Sequence, residues 1–178
     1  SGSGLPYNQT FFVDRDGTIS GRYSKLHLFD GISAGNTEFQ ESALYKPGND
    51  ITVTDILGIR MGTAICYDFR FPELFRIMAL GGGEIIFVPG NFTNHTGEHH
   101  LQGILQTRAI ENGVFIVSAN QIGRKKKAES FGHSMVIRPD GEIRAIKPDG
   151  EGLRFCDIDT QDSTCRRIKL PLWDHNRE

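Results

Sequence analysis

The stretch Ile65-Cys66-Tyr67-Asp68-Phe69-Arg70-Phe71-Pro72-Glu73-Leu74 decides the fold, because a strand pattern passes through a cysteine into a helix pattern. Residues 61–65 are mostly apolar, as is typical of a buried strand. Pro72 stands where a first helical turn begins, and Gly81 follows the last residue of the apolar pattern. The sequence therefore predicts Cys66 at the end of a strand, directly before a helix N-terminus.

Cys66 combines this position with reactive chemistry. A helix N-terminus and a nearby cation lower the pKa of a thiol, and backbone N–H groups at such a turn can hold an oxyanion. The alternative is that Cys66 is a small buried hydrophobic residue. From the residues alone both interpretations stay open.

The segments on either side of this stretch predict an α/β fold with a mixed sheet. Hairpins are predicted around Asp16-Gly17, Leu57-Gly58 and Asp140-Gly141, since such dipeptides favour tight turns. Buried strands are predicted at 84–88 and 114–119 and a second helix at His99–Asn112, whereas 28–49 and the chain after 159 are predicted to be a polar loop and a polar tail. With only two helices, one sheet face is expected to need a second sheet or a partner subunit.

Length and composition exclude several classes of protein. The 178 residues are 38% hydrophobic and 24% charged, with a formal net charge of −2, which excludes a disordered chain and a strongly basic nucleic-acid binder. No apolar run approaches the roughly 18 residues of a membrane-spanning helix. The three cysteines form no Cys-x-x-Cys pair, which favours free thiols in the cytoplasm. We expect one domain over residues 1–178, with no nucleic-acid or membrane partner.

Lys25 is a second candidate for chemistry. It lies beside the apolar residues Leu26 and Leu28, where a lysine often protects an exposed sheet edge. If Lys25 faces inward instead, its ammonium becomes a candidate to stabilise a developing oxyanion.

The chain resembles the nitrilase superfamily of carbon–nitrogen hydrolases, and within it the ω-amidase-like branch. The blocks that carry the resemblance occur in order between about residues 7 and 159. They are Tyr23-Ser24-Lys25-Leu26-His27-Leu28-Phe29-Asp30, Phe39-Gln40-Glu41-Ser42, the stretch 65–74, Phe92-Thr93, Thr96-Gly97, Arg108-Ala109-Ile110-Glu111-Asn112 and Gly132-His133-Ser134.

The resemblance implies a fold, a reaction and a set of site residues. The fold would be a four-layer α-β-β-α sandwich with mixed sheets, and the protein would be a homodimer without metal or organic cofactor. The reaction would convert a small amide, best an ω-monoamide of a dicarboxylic acid, to acid and ammonia through a thioester. N-carbamoyl amines and deaminated-peptide amides are the alternative substrates. The implied site residues are the nucleophile Cys66, the stabiliser Lys25, the second glutamate Glu41, the oxyanion donor Tyr67, and Arg70 and Phe92 for substrate binding.

One part of the implied site has no counterpart in the sequence. The family places a general-base glutamate well upstream of the lysine, whereas none of residues 1–24 is Glu and the first is Glu38. The first Met is Met61, and the chain opens on Ser1-Gly2-Ser3-Gly4, a possible linker or remnant. We expect a chain that lacks the N-terminal third of the domain. A base on a separate chain and a non-catalytic binding or assembly module are the alternatives.

Three further motifs have other interpretations. His95-Thr96-Gly97-Glu98-His99 fits the His-x-x-Glu-His pattern of zinc peptidases, but we expect no helix through His95 and hence no metal site. The run Arg124-Lys125-Lys126-Lys127 is expected to be solvated charge in a loop. Pro171 and Trp173 are candidate dimer contacts.

Overall fold

The computed structural model describes residues 4–33, 37–125, 128–171 and 174–175, and it shows a mixed α/β fold. The strands are β1 (Gln9–Val13), β2 (Ile19–Ser24), β3 (Asp30–Ser33), β4 (Thr37–Gln40), β5 (Val53–Ile56), β6 (Ile59–Thr63), β7 (Ile85–Phe87), β8 (Phe115–Ser118), β9 (Ile122–Arg124), β10 (Glu129–Phe131), β11 (Ser134–Ile137) and β12 (Ile143–Lys147). The helices are α1 (Pro72–Leu80), α2 (Asn94–Thr96), α3 (Gln102–Asn112) and α4 (Gln161–Lys169), and a π-helical turn, Gly97–Leu101, joins α2 to α3.

Six strands form the central sheet, in the order β12-β11-β8-β7-β6-β5. The pairs β6–β7 and β7–β8 are parallel, and the outer pairs are antiparallel. Parallel pairs need crossover connections, which α1 and α3 provide. The predicted mixed sheet is therefore confirmed, as are the three predicted hairpins β1–β2, β5–β6 and β11–β12.

The core lies between the sheet and helices α1 and α3. Helix α1 begins at Pro72 as predicted and buries Leu74, Phe75, Met78 and Ala79. Helix α3 buries Leu105 and Ala109 and ends at Gly113, whose φ of 60° suits a glycine. These side chains pack on the sheet residues Ile86, Val88, Ile116, Met135 and Ile137.

A second layer begins on the other side of the sheet. Phe12 on β1 meets Phe87 on β7 with ring centroids 6.1 Å apart. Tyr23 on β2 is fully buried. The hairpin β1–β2 therefore brings Lys25, the residue after β2, close to the carboxyl ends of the central strands.

The prediction of a polar loop at 28–49 was wrong. Strands β3 and β4 form a hairpin there, and a short 3₁₀ turn, Glu41–Ala43, follows. Backbone hydrogen bonds to distant groups order this polar segment: Glu41 N–H donates to Phe29 O at 3.1 Å, and Ser42 N–H to Asp30 Oδ1 at 3.0 Å. Such contacts leave no apolar periodicity in the sequence.

The prediction of a polar tail after residue 159 was also wrong, because helix α4 forms there. Its one fully buried side chain is Ser163, which donates to Gly113 O, and Arg167 donates to Gly83 O. Since α4 docks through polar contacts, it lacks the apolar stripe by which helices are predicted.

The structure also bears on the basic run 124–127, on Trp173 and on membrane-spanning helices. Arg124 ends strand β9 and is not in a loop, while Lys126, Lys127 and Trp173 lie outside the described residues. None of the helices in the described ranges has the length and apolar character that crossing a membrane requires.

Candidate active site

Cys66 opens a 3₁₀ turn, Cys66–Arg70, that follows the central strand β6. The strand itself ends at Thr63. The prediction that Cys66 ends the strand was therefore three residues off. Cys66 has a φ of 49°, which is uncommon for a residue other than glycine and is found at functional sites. Its N–H donates to Pro89 O at 2.8 Å, and its sulfur lies 3.5 Å from Asn91 O. The backbone therefore holds the thiol at the carboxyl end of the sheet.

Burial raises the pKa of the Cys66 thiol above its ordinary value. The Asn91 contact, the Lys25 ammonium and the Tyr67 backbone N–H lower the pKa, whereas the Glu41 carboxylate raises it. Desolvation of the thiolate thus outweighs the lowering effect of the cation and the turn.

Lys25 and Glu41 form an ion pair beside the thiol. The Lys25 side chain is 3% exposed, and its ammonium donates to Glu41 Oε2. The same oxygen accepts the Phe29 N–H at 2.7 Å, and Glu41 Oε1 accepts Asn8 Nδ2 at 3.1 Å. Lys25 thus faces inward and is not an exposed edge residue. Removing either partner would leave a buried charge unpaired, which is strongly destabilising.

A cleft of about 1060 Å³ brings the predicted site residues together. Cys66, Lys25, Glu41, Tyr67, Arg70 and Phe92 all line it. Tyr67 packs against Phe29 with ring centroids 5.0 Å apart, and Phe92 packs edge-on against Phe69 at 4.9 Å. Arg70 reaches His100, with Nη2 3.2 Å from Nδ1. The roles of these residues stay predictions.

Sequence reasoning missed the buried carboxylate of Asp68, which is fully enclosed. Its Oδ2 accepts Tyr23 Oη at 2.7 Å and Ile65 N–H at 2.9 Å. Its Oδ1 accepts His27 N–H at 2.9 Å and lies 2.8 Å from His27 Nδ1. The signal in the sequence was an aspartate between apolar residues, two positions after the cysteine, which predicts a satisfied buried acceptor.

The expectation of no helix through His95 was wrong. Helix α2 begins at Asn94 and continues through the π-helical turn, because Gly97 lets the turn approach the Phe131 ring closely. The rings of His95 and His99 consequently meet, with centroids 5.1 Å apart. Within the described part of the chain, no group of three His, Cys, Asp or Glu side chains is placed to hold a metal ion.

Comparison with known proteins gives a family match over most of the chain. The carbon–nitrogen hydrolase family model matches residues 1–167. A deaminated glutathione amidase of Dictyostelium discoideum is 39% identical over 175 residues, which cover 96% of this chain and 60% of that protein. Omega-amidase NIT2 of Homo sapiens is 35% identical over 177 residues, covering 98% and 64%.

The fold is also similar to a solved structure. Nit3 of Saccharomyces cerevisiae, described as a member of branch 10 of the nitrilase superfamily, superposes with a TM-score of 0.85 at 29% identity. That match covers 97% of this chain and 60% of the other. The chain thus spans about 60% of the length of the relatives it matches.

Proposed function

This chain belongs to the carbon–nitrogen hydrolase family, and from that premise we propose that the protein is a cysteine-dependent amidase. It releases ammonia from a small amide and leaves a carboxylic acid. The observation that carries the proposal is the convergence of the Cys66 thiol, the buried Lys25–Glu41 pair and the Tyr67 N–H in one cleft.

In the proposed reaction the Cys66 sulfur attacks the amide carbonyl carbon as its proton passes to a general base. The carbonyl oxygen becomes an oxyanion that the Lys25 ammonium and the Tyr67 N–H stabilise. The carbon–nitrogen bond then breaks, the nitrogen takes up the proton and ammonia leaves. Water hydrolyses the resulting thioester to the acid and regenerates the thiol, so two moderate barriers replace one high barrier.

The raised pKa of Cys66 makes a general base necessary. Of the described carboxylates that line the cleft, Glu41 is engaged with Lys25, and Glu129 accepts Asn94 Nδ2 at 3.1 Å near the rim. We therefore place the base on a glutamate supplied from the part of the relatives' length that this chain does not span.

Arg70 supports an acidic substrate, best an ω-monoamide of a dicarboxylic acid. Its guanidinium lies at the cleft, 4.9 Å from the Phe69 ring centroid and beside His100, where it can receive a carboxylate. A deaminated-peptide amide is the second candidate, since a relative at 39% identity is named a deaminated glutathione amidase. N-carbamoyl amines remain a third arm of the test.

The test is ammonia release by the full-length natural protein, measured against a panel of ω-monoamides, deaminated-peptide amides and carbamoyl amines. We expect turnover with the acidic monoamides. Cys66→Ala should abolish turnover, and acid-quenched wild-type protein should carry an acyl mass on the Cys66 peptide. Cys156→Ala is the matched control and should retain full activity.

Two results would contradict the proposal. Turnover that survives Cys66→Ala would exclude the thioester mechanism. A full-length protein that binds amides yet neither releases ammonia nor forms the acyl adduct would be a binding or assembly module of the same fold.

Assembly and location form the last part of the proposal. We propose a cytoplasmic homodimer, as the free thiols and the family resemblance suggest. Exposed apolar side chains on α1 and near the end of α4, among them Ile77, Leu80 and Ile168, offer apolar surface for a partner. Light scattering of the purified full-length protein measures the mass, and a monomer at micromolar concentration would contradict the dimer.

A further inference from the structure

We propose that Asp68 is the positioning residue that sets the Lys25 ammonium against the Cys66 thiol. The inference rests on the roles proposed above for those two residues. Its basis is that one buried carboxylate receives hydrogen bonds from both segments that carry the site. Tyr23 and His27 belong to the segment 23–27 that carries Lys25, here called the lysine segment. Ile65 directly precedes the 3₁₀ turn Cys66–Arg70, here called the cysteine turn.

On one side, Asp68 holds the chain before and after Lys25. Tyr23 Oη donates to Asp68 Oδ2 and at the same time accepts the Leu26 N–H at 3.2 Å. The His27 N–H donates to Asp68 Oδ1. Lys25 therefore sits between two fixed neighbours, directly after the end of strand β2. Its own backbone is held as well, because the Lys25 N–H donates to Asn8 O at 2.9 Å and the Gly48 N–H donates to Lys25 O at 2.8 Å.

The His27 ring strengthens this hold. Its Nδ1 lies 2.8 Å from Asp68 Oδ1, and the ring stacks on Phe71 with centroids 3.5 Å apart. Phe71 belongs to the chain that leads from the cysteine turn into α1. The lysine segment is thus joined to the turn through a ring contact as well as through the carboxylate.

On the other side, Asp68 stabilises the strained cysteine. Its carboxylate accepts the Ile65 N–H, and its own N–H donates to Ile65 O at 3.1 Å. These two bonds close the chain over Cys66, whose positive φ would otherwise relax. Both ends of the Lys25–Cys66 distance are consequently tied to one side chain.

The experiment measures this link through the thiol itself. Among the described residues, the charged groups that act on the Cys66 thiol are Lys25, which lowers its pKa, and Glu41, which raises it. In the full-length protein, the rate of Cys66 alkylation by iodoacetamide is followed against pH by peptide mass spectrometry. Asp68→Asn replaces one carboxylate oxygen with an NH₂ group, which would face the O–H and N–H donors whose hydrogen bonds Asp68 accepts. We expect the pH at which the alkylation rate is half its maximum to rise by about 0.5 or more. The reason is that a less firmly positioned Lys25 ammonium stabilises the thiolate less.

A second variant and a double variant show that Asp68 acts through Lys25. Tyr23→Phe removes one donor and leaves the carboxylate, so a smaller shift in the same direction is expected, even if Asp68→Asn does not fold. Lys25→Ala should shift the profile upward by itself. Adding Asp68→Asn to Lys25→Ala should then produce no further shift, because the cation that Asp68 positions is already absent.

Ser163→Ala is the control for a purely structural effect. Ser163 is as buried as Asp68 and donates to Gly113 O, but it belongs to α4, which does not line the cleft. It should lower the melting temperature without moving the alkylation profile. The amide-hydrolysis kinetics form a second readout: Asp68→Asn should lower kcat by about 10²-fold and change KM little.

The outcomes separate the link from the proposed function. The link is supported if Asp68→Asn shifts the alkylation profile, Ser163→Ala does not, and adding Asp68→Asn to Lys25→Ala gives no further shift. This result would support the link whether or not amides are hydrolysed. An unchanged profile in a folded Asp68→Asn or Tyr23→Phe variant overturns it. An additive shift in the Lys25→Ala background overturns it as well, because Asp68 would then act on the thiol independently of the lysine.

Discussion

The Arg108 side chain donates through Nε to the carbonyl oxygen of Phe69 at 3.1 Å. Its Nη2 also donates to Arg70 O at 3.2 Å, and its Nη1 pairs with Glu111 at 2.9 Å. Arg108 lies on α3 and is 8% exposed, while Phe69 and Arg70 end the cysteine turn. One guanidinium therefore fastens the end of the turn to α3, a helix that covers the sheet.

Arg108→Met should destabilise the protein by about 2 kcal/mol. Methionine preserves much of the apolar stem but leaves the Phe69 and Arg70 carbonyls without these donors, and an unsatisfied buried acceptor costs about 1–3 kcal/mol. The free energy of unfolding in urea measures the loss. Thr107→Ala, at an exposed neighbouring position, should change it by less than about 0.5 kcal/mol. Equal losses in the two variants would show that the carbonyl contacts contribute nothing.

Glu41→Gln should lower both stability and turnover. The Lys25 ammonium would stay buried with a neutral partner, and breaking a buried ion pair costs about 3–5 kcal/mol. Urea unfolding and ammonia release measure the two losses. Glu38→Gln on strand β4 neutralises an exposed carboxylate whose Oε1 accepts a hydrogen bond from Gln40 Nε2 at 3.1 Å. This control should leave both values close to wild type. A stable Glu41→Gln protein would mean that Lys25 tolerates the loss of its counter-ion.

Cys66 should be slow to alkylate at neutral pH. Burial raises its pKa, so the thiolate is scarce near pH 7.5, and the rate should increase about tenfold per pH unit until the native pKa is reached. Cys165 is exposed and should react first. Because the native pKa lies above the unfolded value, the thiol's contribution to stability is complete at neutral pH and declines as pH rises through the native pKa. Labelling of Cys66 ahead of Cys165 at pH 7.5 would contradict this burial.

The central sheet and helix α1 were predictable because their signals are local. Pro72 marks the helix start, the apolar residues of β7 and β8 mark buried strands, and Leu57-Gly58 marks a turn in which both residues have positive φ. Each of these features is set by covalent geometry or by burial within a few residues.

The environment of the site was less predictable because it depends on pairing at long range. The residue pattern and the family resemblance both indicated Lys25 and Cys66, and the resemblance alone indicated Glu41. Neither indicated that Asp68 joins their segments or that burial would raise the pKa of the thiol. Both effects arise from groups about 40 residues apart that meet only in the folded chain. Helix α4 escaped prediction for a related reason, since polar contacts and not an apolar stripe hold it in place.

Two glycines in the α2–α3 region should respond in opposite ways to alanine. A Cβ on Gly97 would come within 2.3 Å of the Phe131 ring, which stacks on His133 at 3.8 Å and cannot yield without moving the strand beside the cleft. A Cβ on Gly103 meets nothing within 4 Å, and its backbone is already helical. Gly97→Ala should therefore cost about 1–3 kcal/mol, whereas Gly103→Ala should stabilise by about 0.4–1 kcal/mol because the unfolded chain loses freedom.

Thermal unfolding of the two variants measures this difference, and each serves as the control for the other. The Gly97→Ala variant should also bind amide substrates more weakly, because Thr96 and Ser130 at the cleft lie next to Gly97 and Phe131 along the chain. Equal melting temperatures would show that the ring of Phe131 shifts freely. That result would remove the packing reason for a glycine at the start of this helix, and with it the explanation for the continuous helical segment through His95.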